Sequence, residues 1–160
     1  MEKKSSRARI IVDSVGLSAV VFSLIFVAVE VRQNTAATLS ATQQAVFEGA
    51  QGGIITVMDN ERLREVMVAS EDNPDWVAEH AGTPDYLLLY YFYMNRFNYI
   101  ENARFHFLGG TYPPESWAGI DGWVRLIASS PVLQHFWGEL RTGYPAEMGE
   151  YMDSIFALTR

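Results

Sequence analysis

The longest apolar run in the chain lies close to its N-terminus. Residues 14–29 read SVGLSAVVFSLIFVAV and carry no charged side chain. Extended outward to Ile10 and Val31, the run forms a helix of about 33 Å, at a rise of about 1.5 Å per residue. The hydrocarbon core of a bilayer is about 30 Å thick. The pattern therefore predicts a transmembrane helix over residues 10–31, with Asp13 and Glu30 near its two ends.

Two other kinds of segment share part of this pattern. A cleaved signal peptide also begins with basic residues, but its apolar region usually spans about 7–15 residues and ends at a small-x-small site. Here the apolar region is longer, and the sequence Val-Ala-Val-Glu at 27–30 offers no such site. The buried core helix of a soluble protein is the second alternative, and it has no need of the four basic residues found here. The pattern favours a membrane anchor over both.

No helix-breaking residue follows the apolar run for nearly twenty positions. We therefore expect the helix to continue beyond the membrane as a stalk toward residue 57. Gly49, Gly52 and Gly53 weaken its far end, because glycine is a poor helix former.

Beyond the stalk, start and stop signals for helices recur along the chain. Thr83 followed by Pro84 combines a capping hydroxyl with proline at the first helical position, and Gly109-Gly110 is a stop signal. Together they predict a helix over residues 84–108. Similar signals predict helices from Asn60-Glu61 to about Ala69, over 75–81, and from Pro114, Pro131 and Pro145 onward. The sequence thus predicts an all-α fold, with a transmembrane helix, a stalk helix and a soluble bundle of five to six helices.

Charge divides the chain into three parts: a basic leader at 1–9, the transmembrane helix at 10–31 and an acidic helical domain at 32–160. Lys3, Lys4, Arg7 and Arg9 crowd the leader, whereas the domain has eight arginines against sixteen Asp and Glu. The positive-inside rule then places the N-terminus in the cytoplasm. In a bacterium, the chain would lie in the inner membrane with its C-terminal domain in the periplasm. So acidic a domain is a poor candidate for binding nucleic acid.

The predicted helix at 84–108 is apolar or aromatic on nearly every face, which is typical of the buried centre of a bundle. Asn95, Asn98 and Asn102 follow one another at i, i+3 and i+7, with Glu101 close by. We expect these four residues to form a buried hydrogen-bond network that fixes the register of neighbouring helices. The alternative is a polar pocket for a small ligand, lined by the same amides and by tyrosines of this helix: Tyr90, Tyr93 or Tyr99.

Several residues are candidates for contact with partner proteins. Gly16, Ala19 and Ser23 share one face of the predicted anchor, where small side chains would let another helix approach closely. Ordinary anchor composition explains the same residues. Among the tryptophans, Trp117, Trp123 and Trp137 are candidates for an interface, because tryptophan is enriched at binding hot spots. Close packing between helices is the alternative for these rings.

The sequence offers no pattern for catalysis, for a cofactor or for a metal. It contains no cysteine, which excludes disulfides and thiolate ligands. His80, His106 and His135 are far apart in the sequence, and none has a second ligand at a standard metal-binding interval. There is no G-x-S-x-G nucleophile elbow. We therefore expect a protein that is not an enzyme, and a hydrolase built on these histidines ranks third among the possibilities.

The residues that follow the apolar run resemble an element of known proteins. Glu30-Val31-Arg32-Gln33-Asn34 is similar to the E-x-R-Q-N element of uncharacterised bacterial single-pass membrane-anchored helical proteins. The resemblance implies the architecture described above and no activity. Physically, Arg32 suits the point where a helix leaves the lipid, because a long basic side chain can reach phosphate.

These observations favour a non-enzymatic interaction protein, an accessory or scaffold subunit of a membrane complex. Its expected partners are lipid, along residues 10–31, and other membrane proteins or further copies of itself. The alternative function is a small-molecule or lipid binding module that uses the Tyr- and Asn-rich helix at 84–108.

Overall fold

The computed structural model describes residues 2–73 and 75–159, with side chains from Gly16 onward. The part of the chain that it describes is helical, without strands. The all-α fold, with a long apolar N-terminal helix followed by a helical bundle, is therefore confirmed. The side chains of the basic leader at 1–9, and those of Ile10, Asp13 and Ser14, lie outside the described residues.

The chain divides into two compact units, and the first ends at Ala41. It consists of the first part of helix α1, whose bounds are Glu2–Asp59. The large apolar side chains of this unit are exposed, among them Leu17, Phe22 and Phe26. In the described part of the chain, α1 is the one helix that is long and apolar enough to cross a membrane. It is therefore a candidate membrane-spanning helix.

The second unit begins at Thr42, so it includes the last part of α1. Thr42, Val46 and Gly53 are buried in this unit. The predicted stalk is thus helical as far as Asp59, but its second half is a member of the bundle. Glycines do not end α1 in this region, because the packing of the bundle outweighs their low helix propensity.

Six further α-helices follow in the described chain, and the predicted signals mark their starts. Asn60, Thr83 and Ser130 each accept a hydrogen bond from the backbone N–H three residues later, which caps the helix that follows. The helices are α2 (Glu61–Asp72), α3 (Trp76–His80), α4 (Pro84–Leu108), α5 (Pro114–Ile127), α6 (Pro131–Leu140) and α7 (Ala146–Ala157), with a short 3₁₀ turn at Arg141–Gly143 before α7.

Helix α4 is the centre of this bundle, in contact with α2, α3, α5 and α6. One face of α4 carries buried residues, and Phe136 of α6 packs against it, with its ring 5.3 Å from that of Tyr93. The opposite face is exposed, however, so the expectation that α4 is buried all round is wrong. That face consists of Leu87, Tyr91, Asn95, Asn98, Asn102 and Phe105, spaced three and four residues apart as one side of a helix requires.

We expect Phe136→Ala to destabilise the second unit by about 3–5 kcal/mol, because it leaves a cavity in a close-packed core. Phe136 is fully buried. The matched control is Phe105→Ala on the exposed face of α4, which we expect to change stability by less than about 0.5 kcal/mol. Thermal unfolding of the full chain in lipid nanodiscs, followed by the near-ultraviolet circular dichroism of its aromatic residues, measures both. Equal losses in the two variants would contradict this assignment of the core.

Candidate functional site

The expected buried network of Asn95, Asn98, Glu101 and Asn102 is not formed. The three asparagines are exposed and Glu101 is half-buried. Asn98 accepts a hydrogen bond from the Tyr144 hydroxyl at 2.7 Å. The amides at i, i+3 and i+7 mark the solvent face of α4, where polar side chains need no protein partner. Because aromatic residues surround these amides in the sequence, the pattern did not distinguish the solvent face from the buried face.

The buried polar residue of α4 is instead Arg96, of which only 8% is exposed. It lies on the core face of the helix, in register with buried apolar and aromatic residues. Arginine is almost never fully buried unless it is paired. Arg96 is not among the residues that the sequence patterns indicated. Its position nevertheless falls within a series of core residues at helical spacing: Leu89, Tyr93, Ile100 and Ala103.

Arg96 has few partners for a buried charge. One terminal nitrogen donates a hydrogen bond to Asn95 Oδ1 at 2.9 Å. The guanidinium carbon lies 5.6 Å from the ring centre of Phe92 and 5.9 Å from that of Tyr99. Its Nε has no hydrogen-bond partner. Among the described residues, no carboxylate lies within 4.0 Å of its nitrogens.

Burial lowers the pKa of Arg96, and the nearby Tyr99 opposes that shift. A guanidinium nevertheless stays protonated in proteins, because its ordinary pKa is far above neutral pH. The folded unit therefore contains a positive charge that has lost water and gained no counter-ion. Such a group favours binding of an anion.

A glycine of α1 makes room for the guanidinium. A Cβ built on Gly53 would overlap the terminal nitrogens of Arg96, whereas a Cβ on the neighbouring Gly52 meets no atom within 4 Å. One turn earlier, the Cβ of a residue at position 49 would touch the Tyr99 ring at 3.4 Å. The absence of a side chain at Gly53 thus sets where the guanidinium lies.

Two cavities meet Arg96, and Trp123 also lines both of them. The larger has a volume of about 400 Å³ and the smaller about 280 Å³. The larger is within the range of about 300–1,000 Å³ that is typical of small-molecule sites. Its walls are mainly apolar: Met67, Phe92, Ile100, Ile127, Pro131 and Leu133.

The larger cavity also has a polar part, formed by Glu71, Tyr93, Ser129 and Ser130. Glu71 Oε1 accepts hydrogen bonds from Ser130 Oγ at 2.5 Å and from the Tyr93 hydroxyl at 3.4 Å. Burial, and then the charge of Glu71, raise the pKa of Tyr93 far above its ordinary value. Its hydroxyl thus stays protonated at neutral pH and remains a donor.

The tryptophans separate into packed and exposed rings. Trp117 is buried and stacks on Phe107 with ring centres 5.4 Å apart. Trp137 is also buried, and its Nε1 donates a hydrogen bond to Asp153 Oδ1 at 2.9 Å. Trp123 alone of the three is substantially exposed, at 37%. Of these interface candidates, the second unit therefore offers only Trp123 to a ligand or partner.

The histidines lie in three different environments. His80 stacks on Trp76 with ring centres 4.2 Å apart. His106 Nδ1 lies 3.0 Å from Thr111 Oγ1, and His135 Nε2 lies 3.2 Å from Glu139. The described residues include no group of three or more His, Asp or Glu that could hold a metal ion. These histidines therefore give no support to a metal-dependent hydrolase.

The candidate contact residues of α1 are all exposed: Gly16, Ala19, Ser23 and Arg32. The Ser23 hydroxyl donates to the Ala19 carbonyl at 2.8 Å, so it is already satisfied within the helix. A second helix would thus meet a small, smooth face at this point, without a free hydroxyl from Ser23.

We expect Arg96→Met to raise the stability of the ligand-free protein by about 1 kcal/mol, because it removes a desolvated charge and an unpaired donor. The matched control is Arg104→Met, also on α4. The Nε of Arg104, like that of Arg96, has no hydrogen-bond partner. Arg104 differs in its surroundings, because it lies 4.3 Å from the Tyr151 ring and its charge interacts favourably with Asp121. That variant should lose stability. Thermal unfolding in nanodiscs distinguishes the two, and a clear loss in Arg96→Met would identify Arg96 as a structural residue.

No known family model, curated protein or solved structure matches this chain. A fold does not by itself determine a function, which depends on the chemistry of the site.

Proposed function

We propose that this protein is a membrane-tethered binding module for a small molecule that has an anionic group and an apolar body. The observation that carries the proposal is Arg96, a residue that lines a cavity of about 400 Å³ and whose buried guanidinium has no counter-ion. The sequence left open a ligand-binding module on helix α4, and the proposed function is of that class. The proposed site, however, lies around Arg96 on the core face of α4 and not on the asparagine face.

The anionic group of the ligand is inferred from the charge of Arg96. A carboxylate or phosphate can accept from two guanidinium N–H groups at the same time, one on each of two oxygens, because the guanidinium fork matches these groups. A cation would be repelled, and a neutral ligand would leave the charge unbalanced. Binding an anion therefore recovers part of the free energy that burial of Arg96 costs.

The apolar body is inferred from the walls of the cavity. Ile100, Ile127 and Leu133 line it beside the indole of Trp123. A bare inorganic anion would leave this surface in contact with water, whereas an alkyl or aromatic group would cover it. Burial of apolar area contributes about 25 cal/mol per Å². The cavity thus fits an organic anion better than phosphate or chloride.

The candidate membrane-spanning part of α1 supports a tethered location for this module. With the basic leader on the cytoplasmic side, the proposal places the chain in a bacterial inner membrane and its acidic domain in the periplasm. Holding a ligand at Arg96 needs no catalytic group, so the proposed protein is not an enzyme.

A second candidate function is an accessory or scaffold subunit that contacts other membrane proteins through α1. It is favoured by the exposed face of Gly16, Ala19 and Ser23, since small residues at this spacing allow close helix approach in lipid. Such a subunit could also carry the ligand site, so the two functions are compatible.

Binding of octanoate to the full chain in lipid nanodiscs tests the first function, with empty nanodiscs as the blank. Octanoate should bind at least about tenfold more tightly than octanamide, which has the same chain without the charge. A hydrogen bond to a charged group contributes about 1.5–3 kcal/mol, and about 1.4 kcal/mol is a factor of ten. Calorimetry measures the affinity, and the fluorescence of Trp123, absent in Trp123→Phe, reports the location.

Two pairs of variants sharpen this test. Arg96→Met should lose octanoate binding at least tenfold, whereas Arg104→Met should retain it. Gly53→Ala should also weaken binding, since its methyl group displaces the guanidinium, whereas Gly52→Ala should not. Octanoate binding that is absent, or equal in Arg96→Met and the unmodified chain, would refute the proposal.

Cysteine crosslinking tests the second function, because the native sequence contains no cysteine. Ala19→Cys should form disulfide-linked pairs, either of this chain or with a partner, in oxidised native membranes. Val21→Cys is the control, since two residues turn a helix by about 200° and place it on the other side. Equal crosslinking at both positions, or none at either, would exclude close contact along the small-residue face.

A further inference from the structure

We infer that the ligand of the Arg96 cavity is a zwitterion, with a cationic group for Glu71 beside its anionic group for Arg96. This inference rests on the proposed function and narrows its ligand class. The chemistry required is a carboxylate or phosphate, an ammonium group a short distance away, and an apolar chain.

Glu71 is fixed at the polar part of the cavity by two other helices. It lies in the last turn of α2, and its Oε1 accepts from Ser130 at the start of α6 and from Tyr93 of α4. Both hydrogen bonds are to the same oxygen. Oε2 has no hydrogen-bond partner in the described part of the protein. One carboxylate oxygen is thus held in place while the other is available to a ligand.

Arg96 and Glu71 line the same cavity with opposite charges, yet they do not pair. In the described chain, no ion pair within 4.0 Å involves either residue. Arg96 lies one helical turn beyond Tyr93, the residue that contacts Glu71. The two charges therefore line one cavity without pairing, together with its apolar residues.

A zwitterion satisfies both charges with one ligand. A simple anion would contact Arg96 but would be repelled by the carboxylate of Glu71. A simple cation would contact Glu71 but would be repelled by Arg96. A zwitterion places its acid on the guanidinium and its ammonium on Oε2. Each contact is then charge-assisted, which makes it roughly twice as strong as a neutral hydrogen bond.

Glu71 has a structural role that accounts for part of this arrangement. Its carboxylate lies beside the N-terminus of α6, where negative charge is favourable, and Ser130 also caps that helix. Glu71→Gln separates the two roles, because the amide oxygen can still accept from Ser130 and Tyr93 while the negative charge is lost. A purely structural glutamate would change stability in this variant and leave ligand selectivity as it was.

The test compares 2-aminooctanoate with octanoate, which differ only in the α-ammonium group, on the full chain in phosphatidylglycerol nanodiscs. The unmodified chain should bind 2-aminooctanoate about fivefold more tightly, a modest gain because Glu71 is exposed. In Glu71→Gln, this preference should disappear while octanoate affinity stays the same or rises. Glu65→Gln is the control, since Glu65 lies on α2 outside the cavity and should keep the preference.

The outcomes separate this inference from the function on which it rests. If octanoate binds through Arg96 but the preference is absent, or survives in Glu71→Gln, the zwitterion is wrong and the anion site stands. If neither compound binds, both are wrong. Repeating the titration in nanodiscs that contain phosphatidylethanolamine identifies the source of the ligand. Weaker 2-aminooctanoate binding there indicates competition by a zwitterionic lipid headgroup, and unchanged binding indicates a free small molecule.

Discussion

A guanidinium that is buried loses its hydrogen bonds to water and needs hydrogen bonds or ionic contacts within the protein. In this protein, Arg96 has few such contacts. Arg96 donates one hydrogen bond to Asn95 and has two aromatic neighbours, and its Nε has no partner. The rest of the second unit accommodates this group. Gly53 of α1 carries no side chain where the guanidinium lies, and α4 presents it to two cavities. A binding site of this kind lowers the stability of the ligand-free protein, as binding sites commonly do.

Helix α4 contributes residues to both the core and the candidate site. One of its faces is buried and the opposite face is exposed to solvent. The face through Tyr93, Phe97 and Ile100 is buried, and it contacts four helices that are short and separated by tight turns. The asparagine face is in solvent. A helix in this place has little freedom to rotate, since a turn of about 100° would bury amides and expose core residues. The orientation of Arg96 is therefore set by the packing of residues that do not themselves touch a ligand.

Sequence patterns predicted the elements of the fold well because helix starts are local. The capping side chains of Asn60, Thr83 and Ser130 act on N–H groups three residues away, so their effect is visible in a short stretch of sequence. The site depends on contacts over longer separations. Glu71 meets Ser130 across 59 positions, and helices α2 and α3 lie between Gly53 and Arg96 in the sequence. Local patterns contain no information about such pairs. The place of Arg96 among core positions was the one local signal, and the aromatic residues on both faces of α4 obscured it.

The net charge of the whole domain also affects which ligands can approach the site. From Arg32 onward, sixteen acidic residues outnumber eight arginines, so the domain repels small anions at long range. That repulsion is screened beyond about 8 Å at physiological salt, but it still opposes the approach of a simple anion to an isolated arginine. A zwitterion carries no net charge, so the acidic domain does not repel it at long range. It interacts with the separate charges of Arg96 and Glu71 only at short range. An acidic domain in which the buried Arg96 has no counter-ion is therefore better suited to a dipolar ligand than to a plain organic acid.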